Sequence, residues 1–131
     1  MNYLAKIFVL FLIAFIQNVA AENWLKLGSS FDGVTSVYID TETIKKDEGF
    51  VYYWSLDDYT EPLEGANALS VMGRFKADCD LDRQQALNLF FFSENMGLGE
   101  PKLYGPNKEW TYPPPGSVGK KAFDFACSYN N

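Results

Sequence analysis

The sequence contains no histidine, and this absence excludes several kinds of chemistry at once. A Ser-His-Asp triad and a Cys-His pair both need an imidazole, and histidine is the commonest ligand of zinc and haem. The only two cysteines do not form the C-x-x-C pattern of thiol redox enzymes. We therefore expect a protein that is not an enzyme and that holds no metal and no cofactor.

A hydrophobic run long enough to cross a membrane is also missing. The longest apolar run, Ile7–Ile16, is half of the roughly 20 residues that a spanning helix needs. Lys6 precedes the run, and the small residues of Val19-Ala20-Ala21 follow it. This pattern predicts a cleavable signal peptide over residues 1–21, with a transmembrane anchor as the alternative. No cysteine lies near the predicted cut before Glu22, so we expect no lipid and no stable membrane anchor. The protein is then exported, to the periplasm or outside the cell.

Positive charge is scarce in the mature chain, residues 22–131, whose length fits a single domain. Without Lys6 it holds 10 basic residues against 17 acidic ones, a net charge of −7. Such a balance disfavours binding to nucleic acid and to anionic membranes.

The two cysteines, Cys79 and Cys127, both belong to the mature chain. An even count in an exported protein predicts a disulfide, with two buried free thiols as the alternative. The bond would remove loop-closure entropy from the unfolded chain and so stabilise a small domain considerably.

Hydrophobic periodicity predicts strands through most of the chain and a helix at its end. The expected strands are Trp24–Ser30, Thr35–Asp40, Phe50–Tyr59, Ala68–Cys79, Gln84–Met96 and Glu109–Tyr112. Between them, Glu42–Asp47 is predicted to be a helical turn and Gly97–Gly105 a loop. Ser117–Tyr129 changes to helical spacing, with Ser117 as its N-cap. The predicted fold is α+β, mainly β: an antiparallel sheet of about six strands with a C-terminal helix tied on by the disulfide.

Alternation within the strands assigns side chains to the two faces of the sheet. In Ala68–Cys79, Ser70 and Asp78 are predicted to point outward. In the following strand, Ala86 is predicted to share a face with Phe90 and Phe92.

Aromatic residues are abundant, at 17% of the chain. A single helix is not expected to cover both faces of an aromatic sheet, and an uncovered aromatic face is typical of a protein-contact surface or a homodimer interface. The alternative is that the aromatics are all core. The candidate contact residues are Phe50, Tyr52, Trp54, Phe90 and Phe92.

Three further motifs lack residues or geometry that the corresponding sites require. Asp78, Asp80 and Asp82 are spaced like the start of a calcium loop, but Arg83 and Leu89 replace the glycine and glutamate that the loop needs. Asp57-Asp58 are neighbours in a strand and face opposite ways, so they cannot share a site. Gly97-Leu98-Gly99 lacks the Gly-Lys-Ser/Thr of a phosphate loop.

The order of the motifs resembles the surface-adhesin protein E family of Gram-negative bacteria. The resemblance runs from Trp24 to Cys127 and includes W-L-K-L-G-S-S, V-Y-I-D-T-E-T-I-K-K, W-S-L-D-D-Y, L-S-V-M-G-R-F-K-A-D-C, M-G-L-G-E, W-T-Y-P-P-P-G-S-V-G and F-A-C. It implies an antiparallel sheet, a C-terminal helix held by this disulfide, and a place in the bacterial envelope. The family is named for an adhesin of host matrix and serum proteins, and haem binding is associated with it.

Together these features predict an exported, non-enzymatic binding domain that contacts host or envelope proteins as an adhesin-like module. A structural periplasmic protein with no host ligand is the alternative. The protein partner is not identified by the sequence.

Overall fold

The computed structural model describes residues 23–105 and 107–130, and the predicted signal peptide lies outside them. Within these ranges the chain forms eight strands, two short 3₁₀ turns and one C-terminal helix. The strands are β1 (Trp24–Ser29), β2 (Thr35–Asp40), β3 (Lys45–Asp47), β4 (Phe50–Leu63), β5 (Ala68–Asp78), β6 (Arg83–Phe92), β7 (Pro101–Tyr104) and β8 (Asn107–Thr111), and the helix is α1 (Val118–Ser128).

All the strands join one antiparallel sheet in the order β1-β2-β4-β5-β6-β7, with β3 beside β4 and β8 beside β6. The predicted fold class is therefore confirmed. The described residues form eight strands, whereas about six were expected. The difference is two short strands that hydrophobic periodicity did not predict.

The first of these is β3, in the segment predicted to be a helical turn. A 3₁₀ turn does form, at Thr41–Thr43, but Lys45–Asp47 then runs beside β4. Glu48 (φ 50°) and Gly49 (φ 84°) make the two-residue turn into β4. Positive φ at both turn residues matches the twist of a tight β-hairpin.

The second is β7, which lies in the predicted loop Gly97–Gly105. Its four residues are all exposed and pair only with β6. A short edge strand with no buried face has no alternating pattern to detect. The loop prediction was wrong here, and β6 ends at Phe92, before the predicted Met96.

One face of the sheet, called here the helix face, packs against α1 and forms the core. Its buried residues are Val37, Ile39, Val51, Tyr53 and Ala77 from the sheet and Ala122, Phe123 and Ala126 from the helix, with Ile44 beside them. Removing this much apolar surface from water is the main force that holds the helix on the sheet.

The ends of α1 are fixed as the sequence predicted. The Ser117 hydroxyl accepts a hydrogen bond from the Lys120 N–H at 3.1 Å and so caps the first turn. Near the other end, Cys127 forms the predicted disulfide with Cys79, with 5.8 Å between their Cα atoms.

The sheet corrects one prediction of side-chain direction. A bulge in β6 places Asn88 opposite Arg74 but Ala86 opposite Phe75. Because the extra residue shifts the alternation, Ala86 lies on the helix face while Phe90 and Phe92 lie on the other. The prediction that they share a face was wrong.

Two side chains predicted to point outward on β5 are buried. The Ser70 hydroxyl donates to the Glu94 carbonyl at 2.6 Å, beneath the loop that follows β6. Asp78 is buried beside Arg83, with 3.0 Å between the carboxylate and Arg83 Nε.

Candidate functional site

The five candidate contact residues lie together on the sheet face opposite α1, called here the aromatic face. Phe50, Tyr52 and Trp54 alternate along β4 with the buried Val51 and Tyr53, so they point away from the helix. Phe90 and Phe92 lie on the same side of β6 because they stand opposite Met72 and Ser70 of β5. All five side chains are half-buried, whereas those of Val51 and Tyr53 on the helix face are almost fully buried.

Stacking across the strands makes these rings one surface. The ring of Trp54 stacks on Phe90 with 6.1 Å between centroids, and Phe90 contacts Phe92 at 6.5 Å. These separations are typical of favourable aromatic pairs. The rings therefore support one another in fixed positions while each keeps part of its area in solvent.

Trp110 extends the aromatic face, and sequence reasoning missed it. It is half-buried on β8, and its ring stacks on Phe50 with 6.0 Å between centroids. The sequence showed only a tryptophan in a short edge strand, because the pairing of β8 with the first half of β6 is set by long-range contacts.

Three cations lie among these rings. Lys76 Nζ is 4.1 Å from the centroid of Phe50, and the guanidinium carbon of Arg74 is 5.5 Å from that of Tyr52. The guanidinium carbon of Arg83 is 4.2 Å from the centroid of Trp110. Attraction between a cation and a ring face contributes about 0.5–1 kcal/mol at exposed sites.

The three cations differ in whether they form an ion pair with a carboxylate. Arg83 also binds Asp78, but Arg74 and Lys76 form no ion pair within residues 23–105 and 107–130. Among the described residues, these two positive charges of an acidic protein therefore lie on the aromatic face without a carboxylate partner.

A groove of about 520 Å³ opens beside Tyr52 and Trp54. It exists because the segment between β2 and β3 moves away from the edge of β4 and forms the Thr41–Thr43 turn instead of pairing with it. The Thr43 hydroxyl replaces the missing strand pairing, since it accepts from the Trp54 N–H at 3.1 Å and donates to the Asp40 carbonyl at 2.7 Å. The lining residues are Glu42, Thr43, Lys45, Asp47, Tyr52, Trp54 and Arg74.

A hydrogen-bonded loop, which contains the Asn95–Gly97 turn, lies at the other end of the aromatic face. The Asp58 carboxylate accepts hydrogen bonds from the Met96 N–H at 2.7 Å and from the Asn95 amide at 3.1 Å. The Ser70 hydroxyl accepts from the Gly97 N–H at 2.9 Å. These bonds hold Met96 in a left-handed conformation (φ 56°) and place the loop against the ends of β4 and β5.

A half-buried acid lies on the helix face, in line with Tyr53 along β4. Burial raises the pKa of Asp57 from 3.8 to about 6, because the charged carboxylate loses its hydration. Burial and then the charge of Asp57 raise the pKa of Tyr59 well above its usual value. Asp58, the next residue, faces the other way and binds the loop, so the two carboxylates do not share a site.

The described residues offer no other chemical centre. No three of their Cys, Asp and Glu side chains converge as metal ligands, and Asp78 of the calcium-like motif is engaged by Arg83. Within the same residues, no helix combines the length and apolarity that crossing a bilayer requires.

A comparison with protein-family models identifies the family of the chain. The family model of surface-adhesin protein E matches residues 24–128. Crystal form II of Haemophilus influenzae protein E is 21% identical, with a TM-score of 0.54, over 70% of this chain and 80% of that one. A structure of protein E from non-typeable H. influenzae is 18% identical, with a TM-score of 0.54, over 86% of this chain and 81% of that one. At these identities the structures show a shared fold alone. No curated protein sequence matches the chain significantly.

Proposed function

The chain belongs to the surface-adhesin protein E family, and we propose that it is an exported, non-enzymatic binding domain that contacts host or envelope proteins through the aromatic face. The observation that carries the proposal is the half-buried cluster of Phe50, Tyr52, Trp54, Phe90 and Phe92 on the sheet face opposite the helix. Family membership supports an adhesin-like surface role, and the absence of histidine supports a role without catalysis.

The energetics of interfaces favour such a cluster. Tyrosine, tryptophan and arginine are the residues most enriched among interface hot spots, since they bury large areas and also offer polar atoms. Stacking has already fixed the rings of Trp54 and Phe90, so little side-chain entropy remains to be lost on binding. Lys76, which forms no ion pair within the described residues, adds charge that a partner with acidic groups would complement.

The first experiment measures binding of the chain to a mixture of matrix components. The mature chain from Glu22 is biotinylated, and its binding to immobilised extracellular-matrix extract of cultured epithelial cells is measured by biolayer interferometry. We expect Trp54→Ser and Phe92→Ser each to weaken binding tenfold or more, a loss of at least about 1.4 kcal/mol.

The matched control is Phe31→Ser. Phe31 is the most exposed aromatic side chain and lies in the β1–β2 turn, away from the aromatic face. Circular dichroism and thermal melting exclude variants that fail to fold. Equal binding by all three variants, or an equal loss in Phe31→Ser, would contradict a contact through the aromatic face.

A second copy of this chain is the other candidate partner for the same face. Sedimentation velocity over a hundredfold concentration range tests it directly. If the homodimer forms through the aromatic face, Trp54→Ser abolishes the concentration dependence and Phe31→Ser preserves it.

The alternative function, a structural periplasmic protein with no host ligand, differs from the proposal in location. Intact cells are labelled with a membrane-impermeant biotin reagent, and a parallel sample is released by osmotic shock. Labelling of the protein on intact cells supports the adhesin-like role. Release by shock without surface labelling supports the structural one.

A further inference from the structure

The groove beside the Thr41–Thr43 turn has a floor suited to a flat ligand with an apolar side. Tyr52 and Trp54 both line it, and Trp54 is braced from the β6 side by its stack on Phe90. A pyranose ring presents C–H groups on one side, and these pack well against a rigid aromatic ring. The volume of about 520 Å³ is within the usual range for small-ligand sites.

The rim of the groove carries charges of both signs. Glu42 and Asp47 supply carboxylates, and Lys45 and Arg74 supply cations. None of these four forms an ion pair within the described residues, although opposite charges line the same groove. Only a weak hydrogen bond from the Asn23 amide, at 3.4 Å, reaches Glu42. Most of the hydrogen-bonding capacity of the rim therefore remains available to a ligand.

The mixture of charges discriminates between classes of ligand. An anionic ligand would be repelled by Glu42 and Asp47, and a cationic ligand would be repelled by Lys45 and Arg74. A hydroxyl group both donates and accepts, so it is satisfied by carboxylates and by cations alike. Adjacent hydroxyl groups around an apolar ring are the defining chemistry of a neutral sugar.

From this floor and rim we propose that the groove binds one sugar unit of a neutral oligosaccharide. The inference rests on the proposed function and deepens it, because it names the chemical class of the partner at the Tyr52–Trp54 end of the aromatic face. The sugar lies on the two rings, its hydroxyl groups donate to Glu42 and Asp47, and they accept from Lys45 and Arg74.

The direct test titrates the ¹⁵N-labelled mature chain with three oligosaccharides, namely maltotetraose, chitotetraose and lacto-N-tetraose. The chain has three tryptophans, Trp24, Trp54 and Trp110, so the indole N–H signals report three separate places. We expect at least one oligosaccharide to shift the Trp54 indole signal in a saturable manner while the Trp24 signal stays in place. Absence of saturable binding by all three, or binding without a Trp54 shift, overturns the proposal.

Variants of the rim test the recognition without disturbing the core. Glu42 and Asp47 are both exposed, so the double variant Glu42→Gln/Asp47→Asn should fold normally. We expect this double variant to raise the dissociation constant about tenfold, because neutral amides are poorer hydrogen-bond acceptors than carboxylates. The control Glu61→Gln removes an exposed charge on β4 that does not line the groove, and it should leave the constant unchanged. Equal effects in both variants would overturn the assignment of the rim.

A final experiment separates this inference from the proposed function. The matrix extract is treated either with periodate, which cleaves the vicinal diols of sugars, or with protease. Loss of binding after periodate supports the saccharide. If protease treatment abolishes binding and periodate treatment does not, the saccharide proposal is overturned. If Trp54→Ser also weakens binding to the untreated extract in that case, the protein-contact function is still supported.

Discussion

The Cys79–Cys127 disulfide gives the sharpest test of how this small domain is stabilised. The perturbation is the double variant Cys79→Ser/Cys127→Ser, which removes the bond without leaving a reactive thiol. The cysteines are 48 residues apart in sequence. Closing a loop of that length in the unfolded chain corresponds to about 4 kcal/mol of stability at 25 °C.

The native contacts of α1 should survive the change. Ala122, Phe123 and Ala126 stay buried against the helix face without the bond. We therefore expect the variant to fold at low urea and to lose stability through its less constrained unfolded state. For domains that are typically stable by about 5–15 kcal/mol, such a loss is large but not fatal.

Equilibrium urea denaturation, followed by tryptophan fluorescence, measures the effect. With a slope of about 2 kcal/mol/M, the midpoint should fall by roughly 2 M. Wild-type protein reduced with a phosphine provides the matched control, because it breaks the same bond without a substitution. A loss below about 1 kcal/mol in both preparations would refute the unfolded-state reasoning.

Three further predictions concern the half-buried acid Asp57, the close packing around Gly73 and export. The pKa of Asp57 is raised to about 6 in the folded state, so its carboxylate destabilises the fold increasingly as the pH rises from about 4 to 6. Asp57→Asn should therefore gain stability over wild type across that window, by up to about 3 kcal/mol above it, and a pH-independent difference in urea titrations would contradict this. A Cβ at Gly73 would lie 2.5 Å from the Phe75 ring and 3.0 Å from Leu89, so Gly73→Ala should cost about 1–3 kcal/mol by thermal denaturation. A cost near zero would mean that the Phe75 ring moves aside freely. Intact-mass analysis of protein from its native host should find a chain that begins at Glu22, and a full-length membrane-bound chain would contradict the predicted signal peptide.

Local patterns were sufficient for the long elements and their ends. Alternation in β4 separated Phe50, Tyr52 and Trp54 from Val51 and Tyr53, and the structure assigns the two sets to opposite faces. These features could be predicted because the two-residue period of a strand and the preference for a serine cap act within a few residues.

Features that depend on distant pairing could not be predicted in the same way. The bulge in β6 moved Ala86 to the face opposite Phe90, and β7 formed within an expected loop. Ser70 looked like a surface residue, but the loop after β6 covers it. In each case the outcome is decided by pairing or contact with another segment of the chain, not by the local sequence pattern.

The sequence by itself determined the sheet-and-helix class, the cap of α1, the pairing of the two cysteines and the rings that share one face of β4. Tertiary structure alone decided which face the helix covers, that Trp110 joins the aromatic face, and that a groove opens where the chain leaves β4 at Thr41–Thr43. The physical reason is range: backbone periodicity acts between neighbours in sequence, whereas stacking across strands and the coverage of a face depend on which distant segments meet.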